Sequence, residues 1–351
     1  MSVSSTISLS GRALLGRELE LRDVTITIKN GLIKEIDELK SSQNAWICPS
    51  FFNAHTHLGD TVAMDVRARG SLADLVTPPN GLKHQILAKT PLKRLIEGMH
   101  SSIRSMSASG TGGFADFREG GAAGVEALRE ASAGTSLNAV ILGREGGESD
   151  ADGAGISSAR DTEEVEKIVS RMRDLGKPVA FHAGERDPDD VDAALSFEPD
   201  LLVHCTHATT KQLRECADMG IPIAVCPRSN WKLGVTDSRD YPPIQKMIDL
   251  GCKVLLGTDN VMFVQPDMFQ EMAFTSLIYN IPPREIMSMA VRGSGVFGDP
   301  HIIEEGMPAS LFVIDPARSN AIFSNDPMKT LVNRAHSGWI TRTVLNEQAY
   351  I

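Results

Sequence analysis

The sequence predicts an α/β protein: a (β/α)8 barrel of TIM type with a small β-sandwich formed by its N- and C-terminal segments. Three observations lead there. From about residue 50, eight short apolar runs alternate with helical stretches, the pattern of βα units around a parallel sheet. Both ends of the chain instead have the alternating texture of half-buried strands. No internal repeat, low-complexity tract or long linker divides the chain, and 351 residues with 42% hydrophobic content can bury a large core.

Within residues 1–49, Val24-Thr25-Ile26-Thr27-Ile28 and Leu32-Ile33-Lys34-Glu35-Ile36 alternate around Lys29-Asn30-Gly31, a turn signal, and so read as a hairpin. The eight candidate barrel strands are Ile47 to Asn53, Gly113 to Phe117, Ala139 to Leu142, Gly153 to Ser157, Pro178 to His182, Leu201 to Cys205, Pro222 to Cys226 and Lys253 to Gly257. Helices are expected between them, among others over Thr90 to Ala108, Glu163 to Leu175 and Pro243 to Leu250, and then over Pro283 to Val291. Eight strands match a closed barrel better than an open sheet. The tail returns to strand texture at Leu311 to Ile314 and Trp339 to Leu345. The expected domains are therefore a composite β-sandwich of 1–49 with 303–351, and a barrel of 50–302.

A formal net charge of -10 argues against a polyanionic partner such as nucleic acid. No window reaches the roughly 18 apolar residues of a membrane span, and the N-terminus lacks the layout of a secretion signal, so a cytoplasmic location is expected. The five cysteines have no CxxC spacing, which points to reduced, buried thiols rather than a disulfide framework or thiolate zinc site.

The sharpest local feature is Asn53-Ala54-His55-Thr56-His57. Two histidines at i and i+2 on a strand share one face and can share one metal ion. Nine histidines in this length give about 0.2 such pairs by chance, so the pair needs context. His182, His204 and Asp259 supply it, each at the carboxyl end of a later candidate strand, on the rim where a parallel barrel assembles its active site.

Taken with Pro49 to His57, His182-Ala183-Gly184-Glu185, His204-Cys205, Cys226-Pro227-Arg228-Ser229-Asn230 and Gly257-Thr258-Asp259-Asn260, the chain resembles the amidohydrolase superfamily, in its cytosine deaminase-like and chlorohydrolase-like branch. The resemblance implies a single divalent ion, Zn²⁺ or alternatively Fe²⁺, held by His55, His57, His182 and Asp259. The chemistry agrees, since three imidazoles and a carboxylate suit such a metal and leave a position for water. Asp259 would accept that water's proton, Glu185 would protonate a ring nitrogen as general acid, and His204 would orient the nucleophile or stabilise the intermediate. Some branches use two ions bridged by a modified lysine on strand four; Asp152 to Ser158 contains no lysine, which favours the mononuclear arrangement. Ser50 departs from the family, which often has Gly there, and so does Ala309-Ser310, where Ala-Asp is common.

The expected activity is hydrolytic deamination of an amino-substituted nitrogen heterocycle: a purine, nucleoside, pyrimidine or pterin-like ring. The alternatives are cyclic-amide (imidazolone-type) or carbon–halogen hydrolysis on the same site and, in another class, a non-catalytic scaffold. A homodimer is the default expectation. His204 is favoured over His207. Arg118, Glu119, Arg144, Glu145 and Glu148 read as loop charges, more often solvated than functional. Residues 59–86, with Asp60, Asp65, Arg67, Arg69 and His84, read as a lid containing a substrate contact the sequence does not single out.

Overall fold

The computed structural model describes residues 6–39, 44–67, 69–160, 162–345 and 348–350. Its strands are β1 (Thr6–Leu15), β2 (Glu20–Lys29), β3 (Leu32–Glu38), β4 (Trp46–Pro49), β5 (Phe51–His57), β6 (Thr111–Arg118), β7 (Asn138–Gly143), β8 (Gly153–Ile156), β9 (Val179–Ala183), β10 (Leu201–His204), β11 (Ile223–Val225), β12 (Val254–Leu256), β13 (Asp259–Asn260), β14 (Ser310–Ile314), β15 (Ile340–Leu345) and β16 (Gln348–Tyr350). They form two sheets. One is parallel, in the order β12-β11-β10-β9-β8-β7-β6-β5-β13; the other is mixed, in the order β16-β15-β14-β4-β1-β2-β3.

The parallel sheet is the barrel. Its eighth strand is kinked into β12 and β13, and β13 pairs with β5 at Asp259↔Thr56 and Asn260↔His57, closing the ring. The kink depends on Gly257, where a Cβ would lie 2.8 Å from the backbone nitrogen of His55. Asn53 fastens the seam from the other side: its Nδ2 donates to Thr258 Oγ1 at 2.7 Å and its Oδ1 accepts from Thr258 N at 3.0 Å. The barrel interior holds Phe52, Ala54, Phe117, Leu142, Ala180, Val203 and Leu255, a packed apolar core with no pore.

The expected first strand, Ile47 to Asn53, is two strands in two sheets. The break is at Ser50, whose N–H donates to Ser310 O (3.0 Å), whereas the Phe51 N–H donates to Gly110 O (2.9 Å). The apolar run is continuous because both pieces are buried, so hydrophobicity alone does not mark the change of partner. It also places His55 and His57 inside β5 rather than after it.

The terminal sheet joins both chain ends through the antiparallel pairing of β4 with β14 and the parallel pairing of β1 with β4. One continuous sheet folds over a core of Leu9, Val24, Ile26, Ile33, Ile47, Leu311 and Val344. Its other face, through Trp46, Cys48, Phe312 and Ile314, packs against the barrel's own large core. The hairpin turns at Asn30 and Gly31, both at positive φ (51° and 72°), as the Asn-Gly signal requires.

Between β5 and β6 lies the segment that covers the barrel mouth. It contains a 3₁₀ turn (Leu58–Ala63) and helices α1 (Leu72–Leu75), α2 (Leu82–Lys89) and α3 (Leu92–Ala108). The long amphipathic α3 packs against α4 (Gly121–Ser132) through Met99, Ile103, Met106, Val125 and Leu128. No helix among the described residues is long and apolar enough to cross a membrane.

Candidate active site

Strand ends at the C-terminal rim deliver the site. His55 and His57 come from β5, His182 from β9, His204 from β10 and Asp259 from β13, all buried. The imidazole centroids of His55 lie 4.9 Å from those of both His57 and His182 and 5.7 Å from that of His204. Asp259 Oδ1 is 3.2 Å from His55 Nε2 and 3.5 Å from His57 Nε2. Ligand atoms of His55, His57 and His182 lie within 4.8 Å of one another, as do those of His55, His204 and Asp259. His207, by contrast, faces Val235 O at 3.2 Å and the Tyr241 ring, outside this cluster.

The donors fit a divalent ion. His57 Nδ1 and His182 Nδ1 face the carbonyls of Phe117 (3.1 Å) and Ile156 (3.0 Å), so each ring donates backward and leaves the Nε2 lone pair facing inward. His55 is fully buried, yet neither ring nitrogen has a hydrogen-bond partner, a cost a bound cation would remove. Burial lowers the pKa of His55 to about 4 and that of His57 to about 3, and holds His182 well below its usual value, so all three are neutral imidazoles at pH 7, the form that can bind a metal ion. Burial opposes ionisation of Asp259, but the close approach of the His55 ring, with His204 and His57 around it, outweighs burial and keeps the carboxyl well below the usual range. Its other oxygen accepts from Ser229 Oγ at 2.7 Å.

The backbone is strained here. His204, Cys205 and Asp259 have φ of 76°, 47° and 60°, values L-residues adopt at a cost of about 1–3 kcal/mol each. Surrounding hydrogen bonds hold the turn after β10: Cys205 N donates to Ala183 O (2.9 Å) and His207 N to Gly184 O (2.8 Å). Glu185, two residues past β9, has Oε1 3.7 Å from His204 Nε2, and burial raises its pKa. A carboxyl so shifted keeps its proton nearer neutrality, as an acid catalyst requires.

A cavity of about 120 Å³ lies over this cluster, lined by Lys83, Arg144, Ser157, Glu185, His204 and Asp259 among others. The roof is Leu72, Val76, Thr77 and Pro78 from the segment after β5.

Beside the cavity, Glu119 corrects the reading of the loop charges as solvated. Its side chain is 4% exposed, and its Oε1 lies 2.7 Å from His57 Nδ1, 2.8 Å from Lys83 Nζ and 3.3 Å from Arg144 Nη1. Its Oε2 accepts from Arg118 Nη2, whose neighbour Nη1 is 3.3 Å from Asp116 Oδ1. Burial would neutralise Glu119, but Lys83, His57 and Arg118 hold it ionised, well below the usual carboxylate range. Glu145 and Glu148 are ordinary loop acids accepting from Gly120 N (2.9 Å) and Gly146 N (3.3 Å). Of the lid candidates, Asp60 is fully buried 3.4 Å from Lys83, and burial pushes its pKa up to about 7. Asp65, Arg67 and Arg69 are exposed, and His84 turns to Val76 O at 3.1 Å. Cys226 to Asn230 support the site from behind: Pro227 opens a short helix, Ser229 holds Asp259, and Asn230 Nδ2 donates to Thr206 Oγ1 at 2.8 Å. All five cysteines are buried and free.

An amidohydrolase family model matches residues 46–154 and an adenosine deaminase model residues 149–294. A Methanothermobacter thermautotrophicus protein named as an aminohydrolase is 35% identical, over 93% of this chain and 94% of its own. The chain belongs to the amidohydrolase superfamily. It is accordingly a hydrolase of carbon–nitrogen bonds, and the resemblance read from its sequence holds across the fold. A more distant superfamily relative, 5-methylthioadenosine/S-adenosylhomocysteine deaminase of Pyrococcus abyssi, is 23% identical over 95% of this chain and 91% of its own. Among solved structures, zinc-complexed atrazine chlorohydrolase from Arthrobacter aurescens superposes with a TM-score of 0.83 (17% identity; 98% of this chain, 95% of the other). Guanine deaminase from C. acetobutylicum with bound guanine gives 0.80 (14%; 99% and 100%). At these identities the structural likeness establishes the (β/α)8 amidohydrolase fold.

Proposed function

We propose that this amidohydrolase is a mononuclear metal-dependent aminohydrolase that releases ammonia from an amino-substituted nitrogen heterocycle. The observation that supports it most is the convergence of three neutral imidazoles and one ionised carboxylate beneath one small cavity, with a second carboxyl, Glu185, whose pKa burial raises, on its wall. His55, His57, His182 and Asp259 would hold the ion, zinc by preference. When bound, such an ion supplies a water acidic enough to ionise near neutral pH.

The remaining steps belong to the chain. Asp259 accepts a proton from the attacking water. Glu185 delivers one to the ring nitrogen beside the attacked carbon, which makes that carbon electrophilic; the amino group then takes the proton held by Asp259 and leaves as ammonia, while the new hydroxyl returns its proton to Glu185 as the carbonyl forms. His204, within reach of Glu185, hydrogen-bonds the oxygen on which charge develops. The cavity of about 120 Å³ is of the same order as the roughly 150 Å³ that accepts benzene in an engineered core, so its floor has room for the reacting part of a heterocycle. A larger substituent has to pass the roof at Leu72 to Pro78.

The test is metal content of the purified protein together with ammonia release from a panel of aminated purines, nucleosides, pyrimidines, pterins and triazines. About one equivalent of zinc or iron with ammonia from one ring class is the expected result. Metal without ammonia would transfer the reading to ring opening or dehalogenation, and a protein that cannot be loaded with metal would sink it. Glu185→Gln should keep its metal and lose roughly 10²–10⁴-fold in turnover; near-normal turnover would remove Glu185 from the mechanism.

A further inference from the structure

Helix α2 buries one residue of its eight, and that residue is a lysine. Lys83 is 2% exposed, and an ammonium that deep costs several kcal/mol unless it is paired. All three of its partners belong to the barrel: Glu119 Oε1 at 2.8 Å, Asp60 Oδ2 at 3.4 Å and Asn260 Oδ1 at 3.4 Å. They sit, respectively, after β6, after β5 and on β13, so one side chain bridges three barrel elements. Behind α2 a cavity of about 400 Å³ opens, lined by Leu87, Leu92, Leu95, Met99 and Ala123 among others. The same segment carries Leu72, Val76, Thr77 and Pro78, which roof the cavity over His57.

From this geometry we infer that Lys83 is a positioning residue, a charged latch whose docking onto Glu119 and Asp60 closes the segment 69–89 over the catalytic cavity and whose withdrawal opens it. An apolar anchor would give the roof affinity for the barrel with no directional demand. A buried ion pair gives one closed geometry, because a half-withdrawn ammonium has neither water nor its acceptors. The latch also ties roof to floor, since Glu119 touches His57 as well as Lys83. Asp60 depends on it most: neither of its buried oxygens has a hydrogen-bond partner, and Lys83 is the cation within ion-pair distance among the described residues. The inference takes the cavity to be the active site, as proposed above, but its test needs no substrate.

The experiment is hydrogen exchange by mass spectrometry on the zinc-loaded protein, with zinc content measured in parallel. In the unaltered protein, peptides within 72–89 should exchange together through an opening well below global unfolding, while those of α3 and β6 stay protected. Exchange of 72–89 only through global unfolding would overturn the latch. In Lys83→Met the same peptides should exchange at least roughly tenfold faster, with α3, β6 and zinc content unchanged. Lys83→Arg, which keeps the charge, should restore most of the protection. Unchanged exchange in Lys83→Met would mean that other contacts hold the roof. Loosening throughout the protein, or loss of zinc, would make Lys83 a structural support of the metal site. Either result overturns the proposal, whereas a protein that releases no ammonia but shows the selective opening would fail the functional reading alone.

Discussion

The floor and the roof of this site are built by different physics. The floor is a ring of strand ends on an apolar barrel core, its histidines aimed by backbone carbonyls and its seam closed by Asn53 and Thr258. The roof is a short-helix segment whose buried lysine reaches into the barrel and behind which a cavity opens. Close packing fixes positions to fractions of an ångström and resists opening, while a single polar attachment permits opening and specifies where closure occurs. Catalysis needs the first property for the groups that hold and move protons and the second for whatever lets a ring in and ammonia out.

The harshest way to break the comparison is to remove a floor residue. Asp259→Ala deletes a carboxylate that faces two histidines and accepts from Ser229, and it should lose both bound metal and activity. Metal analysis after dialysis decides it, since full occupancy would contradict the proposed ligand set. The fold should survive, because β13 is a two-residue strand and the seam hydrogen bonds lie outside the Asp259 side chain.

Glu119 sharpens the comparison, because it belongs to both regions. Glu119→Gln keeps the shape but removes the charge facing His57 Nδ1 and Lys83 Nζ. Partners of this kind change metal affinity by about 10–100-fold, so zinc competition against a chelator should show a loss of that size. The roof should loosen too. If zinc affinity holds and only 72–89 exchanges faster, Glu119 serves the roof alone; a change in zinc affinity with no change in exchange would assign it to the floor.

The floor was far more legible in the sequence than the roof, for a physical reason. His55, His57, His182, His204 and Asp259 end apolar runs whose period and length identify strands, and strand order on a closed barrel dictates that such ends meet. Glu119 and Arg144 follow the same rule, one residue beyond β6 and β7, but charged residues after a strand are usually solvated, and nothing local distinguishes these from Glu145 or Glu148. Lys83 left less trace still. It sits in an eight-residue helix that also offers Leu82, Ile86 and Leu87, so burial of the lysine is the reverse of what composition implies, and only the tertiary position of Glu119 and Asp60 makes it intelligible. The split at Ser50 was hidden because two buried strands in different sheets read as one apolar run.

The smallest expected effect lies under the floor, where barrel and terminal sheet meet. His301 is 8% exposed, with Nδ1 3.0 Å from Ser50 O at the point where the chain passes from one sheet to the other, and its backbone N–H donates to Ser294 Oγ at 2.8 Å. Burial lowers its pKa to about 4. Below about pH 6.5 the unfolded chain therefore binds a proton at this residue that the folded chain does not. Stability from this group is complete above that pH and falls progressively until the pH reaches about 4, by about 1 kcal/mol at pH 5.5. Urea unfolding at pH 7 and pH 5.5 should show that much less acid sensitivity in His301→Gln than in the unaltered protein, whatever the variant's stability at pH 7. An equal pH slope in the two would mean that His301 is protonated in the fold, and that the junction beneath the floor is wetter than its burial implies.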